Sequence, residues 1–72
     1  MSTFHIRLFE QRKALGLKQA DMAKALGIPF RSYRRYESGE SEPTVTTLCV
    51  MADYFQVSLD DLVGREGAKE EL

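Results

Sequence analysis

Between Lys18 and Gly39 the chain reads KQADMAKALGIPFRSYRRYESG, and this stretch restricts the possible folds more than any other part of it. At about 100° per residue, Met22, Ala23 and Leu26 share one face of a first short helix, and Tyr33 and Tyr36 share the inward face of a second. Gly27 interrupts the periodicity between them. Measured from Tyr33, the side chains of Arg31, Arg35 and Ser38 fall nearly opposite the inward side, with Arg34 on the flank. The pattern describes two short helices joined by a tight turn, apolar within and cationic outside.

Arg31 and Arg35 stand four positions apart, where like charges oppose a helix by about 0.2–0.5 kcal/mol. Helix stability alone gives no reason to place them so. Glu37 is the nearest acid and lies on the inward side, so it leaves the outward stripe uncompensated. Arginines that merely solubilise an exposed helix would need neither the hinge nor these helix lengths. A second helix carrying its charges outward after a glycine turn is the layout of a helix-turn-helix, whose second helix enters the major groove of DNA.

Seventy-two residues support one small domain, near the lower limit for a self-sufficient core, since about 60% of the unfolded surface is buried at this size. No apolar run approaches the ~20 residues needed to span a bilayer, and the N-terminus lacks the order of a secretory signal. A soluble protein of the cytoplasm, with no membrane association, is expected. Cys49 is the single cysteine; among Leu48, Val50 and Met51 it is expected to be core filler or a partly buried thiol.

The net charge of −1 conceals a strong polarity. Residues 1–36 hold eight Lys/Arg against Glu10 and Asp21, a balance of +6, while residues 37–72 hold nine Asp/Glu against Arg65 and Lys69, a balance of −7. Such a dipolar chain turns its basic side toward a polyanion whatever its overall isoelectric point.

Along the chain, Thr3 is placed to cap a first helix that runs to about Leu15, with Phe4, Leu8 and Leu15 facing a core and Gly16 ending it. A second helix covers about Gln19 to Leu26. A third runs from about Pro29, whose fixed φ suits a first turn, to Ser38 and stops at Gly39. Thr44 caps a fourth, in which Val45, Leu48, Met51, Ala52 and Phe55 recur at three and four. Ser58 caps a short fifth carrying Leu59, Leu62 and Val63. No alternating run or Asn-Gly turn signals a strand, so the expected fold is all-α, five short helices about one core. Residues 1–64 form the domain and 65–72 a flexible acidic tail.

The runs LGLKQADMAKALGI, YRRYESG and EPTVTTLCVMADYFQVSLDDLVG resemble the Cro/C1-type helix-turn-helix family, also called XRE, of phage repressors and small bacterial regulators. The resemblance extends from about Leu8 to Gly64. Gln19, Ala23, Gly27, Glu37, Gly39, Pro43, Ala52, Phe55, Val57, Ser58 and Leu62 carry it. It implies a lambda-repressor-like DNA-binding domain in the bacterial cytoplasm or nucleoid, acting on double-stranded DNA without a cofactor.

The same resemblance assigns Phe30, Arg31 and Arg35 to base-facing positions, with Ser32 and Arg34 at the groove margins. Arginine bonds guanine O6 and N7 in bidentate fashion, so guanines are expected in the half-site. Phe30 replaces a usual polar residue and either meets a thymine methyl or packs back on its own turn. Gln19 and Lys18, at the start of the second helix, together with Arg34 and Ser38, are expected at phosphates. Lys18 forgoes the usual Ser or Thr cap, worth about 1 kcal/mol. Arg12 and Glu37 match a pair bridging the first and third helices, with Arg12 also able to approach the DNA backbone. As an exposed pair it would contribute about 0–1 kcal/mol and serve orientation.

Small helix-turn-helix units commonly act as dimers on inverted half-sites. Leu59 and Asp61 match a region where family members self-associate. Val50 and Tyr54 lie away from the core face of the fourth helix and extend the expected homodimer or partner surface; Ile6 and Phe9 are similarly surplus on the first. Repression of transcription is the expected role. The alternative is an antitoxin or adaptor that uses the same fold on a protein partner. Enzymatic and metal chemistry are not expected: His5 is the only histidine, Asp60 and Asp61 diverge as helix neighbours, and no glycine-rich phosphate loop is present.

Overall fold

The computed structural model describes residues 3–64. The expected tail at 65–72 lies outside the described residues. Five helices follow one another: α1 (Phe4–Leu15), α2 (Gln19–Leu26), α3 (Phe30–Ser38), α4 (Val45–Phe55) and α5 (Leu59–Val63). Among the described residues there is no strand.

The periodicities close on one core. Phe4 and Leu8 of α1, Met22, Ala23 and Leu26 of α2, Tyr33 of α3, Met51 and Ala52 of α4 and Leu62 of α5 are all buried. Helix α3 packs on α1 and α2, α5 closes against α1 and α4, and α4 also touches α2. The small side chain of Ala23 lets helices approach closely beside Met22. One face of α3 is therefore committed inward, and the rest of it stands free.

The turns explain the short helices. Gly27 adopts φ +73, a left-handed conformation that glycine reaches without penalty. Its neighbour Ile28 donates back to the Ala23 carbonyl at 3.0 Å, completing a helix cap that reverses the chain into α3. Thr44 and Ser58 cap α4 and α5 as expected, accepting from the amides of Thr47 and Asp61 at 3.3 and 3.0 Å. The left-handed cap after α4 falls on Gln56, with φ 59.

Five expectations are corrected. Thr3 makes no side-chain cap; instead its carbonyl accepts from Ile6 and Arg7 at 3.0 and 3.1 Å. Pro29 is not in the first turn of α3 but immediately before it, with ψ 143, because the chain is still extended as it leaves the α2 turn. Leu15 is 51% exposed: the end of α1 overhangs the core, and Leu17, after the chain reverses at Gly16, packs there in its place. Val45 is 71% exposed, since the first turn of α4 stands clear of its neighbours and packing begins at Leu48. Cys49 is exposed, being about 100° around the helix from Leu48.

Candidate nucleic-acid interface

The outward side of α3 and the start of α2 form an open groove of about 640 Å³, bordered by Gln19, Phe30, the three outward arginines, Ser38 and Glu40, with Glu37 at its floor. Arg31, Arg34 and Arg35 are all exposed, whereas Tyr33 on the opposite side of the helix is fully buried. The amphipathic pattern thus sorts the helix as its sequence predicts, with the cations at the surface. Ser32 is half-buried at the groove margin.

Beneath the groove lies a hydrogen-bonded knot that ties three helices together. Arg12 of α1 grips Glu37 of α3 in bidentate fashion, Nε to Oε2 at 2.7 Å and Nη2 to Oε1 at 2.9 Å, while Nη1 donates to the Leu17 carbonyl at 2.9 Å. Gln19 of α2 donates Nε2 to Glu37 Oε1 at 2.9 Å, and the Tyr33 hydroxyl donates to Oε2 at 2.6 Å. The expectation of an exposed pair is corrected: the Arg12 and Glu37 side chains are only 12% and 5% exposed. Crossing helices roof the pair over, a result that no local pattern contains.

These contacts reset the ionisation of the groups involved. Burial alone would raise the Glu37 carboxyl, but bonds from Arg12, Tyr33 and Gln19 outweigh it and hold the group below the usual carboxylate value. Burial, reinforced by the bond to Glu37, raises the Tyr33 phenol well above its ordinary value. The bond to Glu37 likewise raises Arg12, against burial. Glu37 is thus a fixed anion, spent inside the protein rather than on the groove.

The three arginines have different surroundings. Arg34 carries its guanidinium 5.8 Å from the centre of the Phe30 ring, a cation–π contact; Phe30, 47% exposed, therefore stands at the groove rim beside Arg34 rather than in the core. Arg35 lies beside Glu40, a residue that helical spacing does not single out, because the left-handed turn at Gly39 brings it there. Arg31 has no ion pair among the described residues.

Lys18 occupies the N-cap position of α2 with no side-chain cap bond and is exposed. Its chain position places a cation next to the unmatched amides of the first turn. The Ser38 hydroxyl donates to the Arg35 carbonyl at 3.1 Å, so a bond from it to a phosphate requires the hydroxyl to rotate. Gln19 borders the groove, whereas Arg12 lies behind Glu37 and does not line it; both spend their described donors on Glu37 and Leu17.

Away from the groove, Val50, Tyr54 and Leu59 are 45%, 44% and 40% exposed. Tyr54 stacks edge-on against Phe55 with ring centres 5.6 Å apart. Asp61, also exposed, borders a cleft of about 260 Å³ between α1 and α5 with Arg7, Glu10 and Gln11. Ile6 and Phe9 on α1 are 47% and 45% exposed, and the Phe9 ring is flanked by Arg12 and Lys13 at 5.5 and 5.9 Å. No helix among the described residues is long and apolar enough to cross a membrane. Nor do the described residues contain a group of three or more His, Cys, Asp or Glu able to hold a metal.

A family model described as helix-turn-helix matches residues 8–62, and the chain belongs to that family, in its XRE or Cro/C1-type branch. It is a family of regulators and not of enzymes. The chain is 47% identical over 64 residues to the cryptic phage CTXphi transcriptional repressor RstR of Vibrio cholerae, covering 89% of this chain and 57% of that protein. It is 39% identical over 64 residues to the HTH-type transcriptional regulator AnsR of Bacillus subtilis, covering 89% and 55%. A crystal structure of a transcriptional regulator from Listeria innocua superimposes with a TM-score of 0.83 at 36% identity, over 89% of this chain and 60% of that one. The chain thus spans little more than half the length of these relatives.

Proposed function

We propose that this chain binds double-stranded DNA sequence-specifically and represses transcription, with α3 seated in the major groove. The observation that carries the proposal is the partition of charge on one short helix: Arg31, Arg34 and Arg35 are exposed, while the helix's own acid, Glu37, is drawn inward by Arg12. Arg31 and Arg35, with Phe30 and Ser32, face base edges. Lys18, Gln19 and Arg34, with Ser38 at the groove edge, face phosphates, and Arg12 supports them from behind by holding Glu37. The uncapped first turn of α2 suits an anion, because its free amides and the helix dipole both favour negative charge.

Two copies on inverted half-sites multiply the specificity of one short reading helix. Val50, Tyr54 and Leu59, with Asp61 at the margin, supply the homodimer surface. A repressor relative at 47% identity supports the sign of regulation.

Selection from randomised duplexes, followed by titration of the winning sequence at two salt concentrations, tests the proposal. Expected are a symmetric preferred sequence containing guanine in each half and a log–log salt slope of about −0.9 per phosphate neutralised. Binding that shows no sequence preference, or that survives Arg31→Ala with Arg35→Ala, overturns it in favour of an adaptor or antitoxin acting on protein.

A further inference from the structure

Besides Glu37, which is held by Arg12, the cationic groove is bordered by a second acid, Glu40. Glu40 Oε1 lies 3.7 Å from Nε of Arg35, and the two side chains are 66% and 60% exposed. The separation exceeds a hydrogen bond and defines a loose, solvent-accessible ion pair. Yet the backbone that presents Glu40 is firmly held. Gly39, at φ +87, turns the chain back on the end of α3, and the Glu40 amide donates to the Arg35 carbonyl at 3.0 Å. The same carbonyl accepts from Ser41 at 3.4 Å and from the Ser38 hydroxyl at 3.1 Å. The backbones of Arg35 and Glu40 are therefore tied in one cap, and their exposed side chains meet above it.

An acid at this place opposes every phosphate that enters the groove, which weakens binding to all sequences alike. Its compensating effect depends on which edge of the guanidinium it takes. Guanidinium donors lie in one plane with fixed directions, so a carboxylate at Nε leaves the edge formed by the two terminal nitrogens. That edge matches the paired acceptors O6 and N7 of guanine. We infer that Glu40 is a positioning residue for base readout: it holds Arg35 by Nε so that its terminal nitrogens meet guanine, and it thereby sets discrimination at the base that Arg35 reads. The inference rests on the DNA-binding function proposed above. Arg34 leans on Phe30 and Arg31 has no acid beside it among the described residues, so the effect is confined to one of the three arginines.

The test compares the wild type with Glu40→Gln, Glu40→Asp and Glu42→Gln on four duplexes. These are the selected sequence, the selected sequence altered at the base whose readout Arg35→Ala abolishes, the same altered at the base that depends on Arg31, and an unrelated duplex. Glu42 is an exposed acid of the same loop, so its variant reports general repulsion alone. Glu40→Gln is expected to lower discrimination at the Arg35 base by about two- to five-fold, the range of an exposed pair, and to leave the Arg31 base unchanged. It also tightens binding to the unrelated duplex, as Glu42→Gln does. Glu40→Asp, with the charge kept and the reach shortened, loses discrimination without tightening unrelated binding. Circular dichroism is expected to match the wild type for all three. Unchanged discrimination at the Arg35 base in Glu40→Gln, or an equal loss in Glu42→Gln, overturns the inference while leaving the DNA-binding function standing. A wild type with no sequence preference overturns both, and shows it before any variant is compared.

Discussion

Two arginine–glutamate pairs stand on either side of the groove wall among the described residues, Arg12–Glu37 and Arg35–Glu40, and their chemistry is the same while their surroundings are opposite. Arg12 and Glu37 meet at 2.7 Å with side chains 12% and 5% exposed; Arg35 and Glu40 meet at 3.7 Å with 60% and 66% exposed. The first pair joins helices, accepts further bonds from Gln19 and Tyr33, and cannot open without stranding charge away from water. The second belongs to one helix end, is screened by solvent and opens at little cost. Burial makes the first a structural clamp and leaves the second available to an incoming ligand. The difference separates the residues that build the groove from those that use it.

The sharpest way to break the contrast is Glu37→Ala. Removing one partner of a buried pair costs about 3–5 kcal/mol, comparable to the whole stability of a domain this small, so urea unfolding monitored by circular dichroism should show a largely unfolded or barely stable protein. A loss below about 1 kcal/mol would place the clamp in the same class as the surface pair. Arg35→Ala should act in the reverse sense, weakening binding to the selected duplex by about 1–3 kcal/mol while its unfolding midpoint stays within about 0.5 kcal/mol of the wild type; a large stability loss would contradict its exposed placement.

Tyr33→Phe removes one donor from the Glu37 carboxylate and should cost about 1.5 kcal/mol in the same urea assay. Protonating Glu37 weakens the clamp without deleting it. Because its folded carboxyl holds a proton less readily than the unfolded one, the clamp's stability is complete above about pH 4.3 and is lost as pH falls through the lower folded value. The raised Tyr33 phenol has the mirror effect, present below about pH 10 and lost as pH rises further. Thermal unfolding across this range should fall at both ends in the wild type, and Tyr33→Phe should lose the alkaline fall attributable to residue 33. Smallest of all, Glu40→Ala should change unfolding stability by less than about 0.5 kcal/mol; a larger change would show the outer pair to be structural.

Much of the architecture was legible in advance. Met22, Ala23, Leu26 and Tyr33 were readable as core from spacing alone, and Gly27 and Gly39 as helix stops, because periodicity and caps are local properties. The same locality misled at helix ends. Leu15 and Val45 have the right periodicity for the core, but burial also requires a neighbouring element at that height, and each belongs to a turn that overhangs. At the groove, the outward arginines were found by their angles. Glu40 was missed, since its approach to Arg35 depends on the left-handed turn at Gly39 and not on helical spacing; an acid directly after a predicted glycine cap was the available signal.

From its residues alone this chain determined its five helices, the direction in which α3 presents its arginines, and its family, all through interactions between positions a few residues apart. Only the tertiary structure decided that Arg12 and Glu37, 25 residues apart, meet out of water and that Tyr33 and Gln19 complete their bonds. The reason is physical: whether a charge is solvated depends on which helices cross over it, and that is a property of the packed whole.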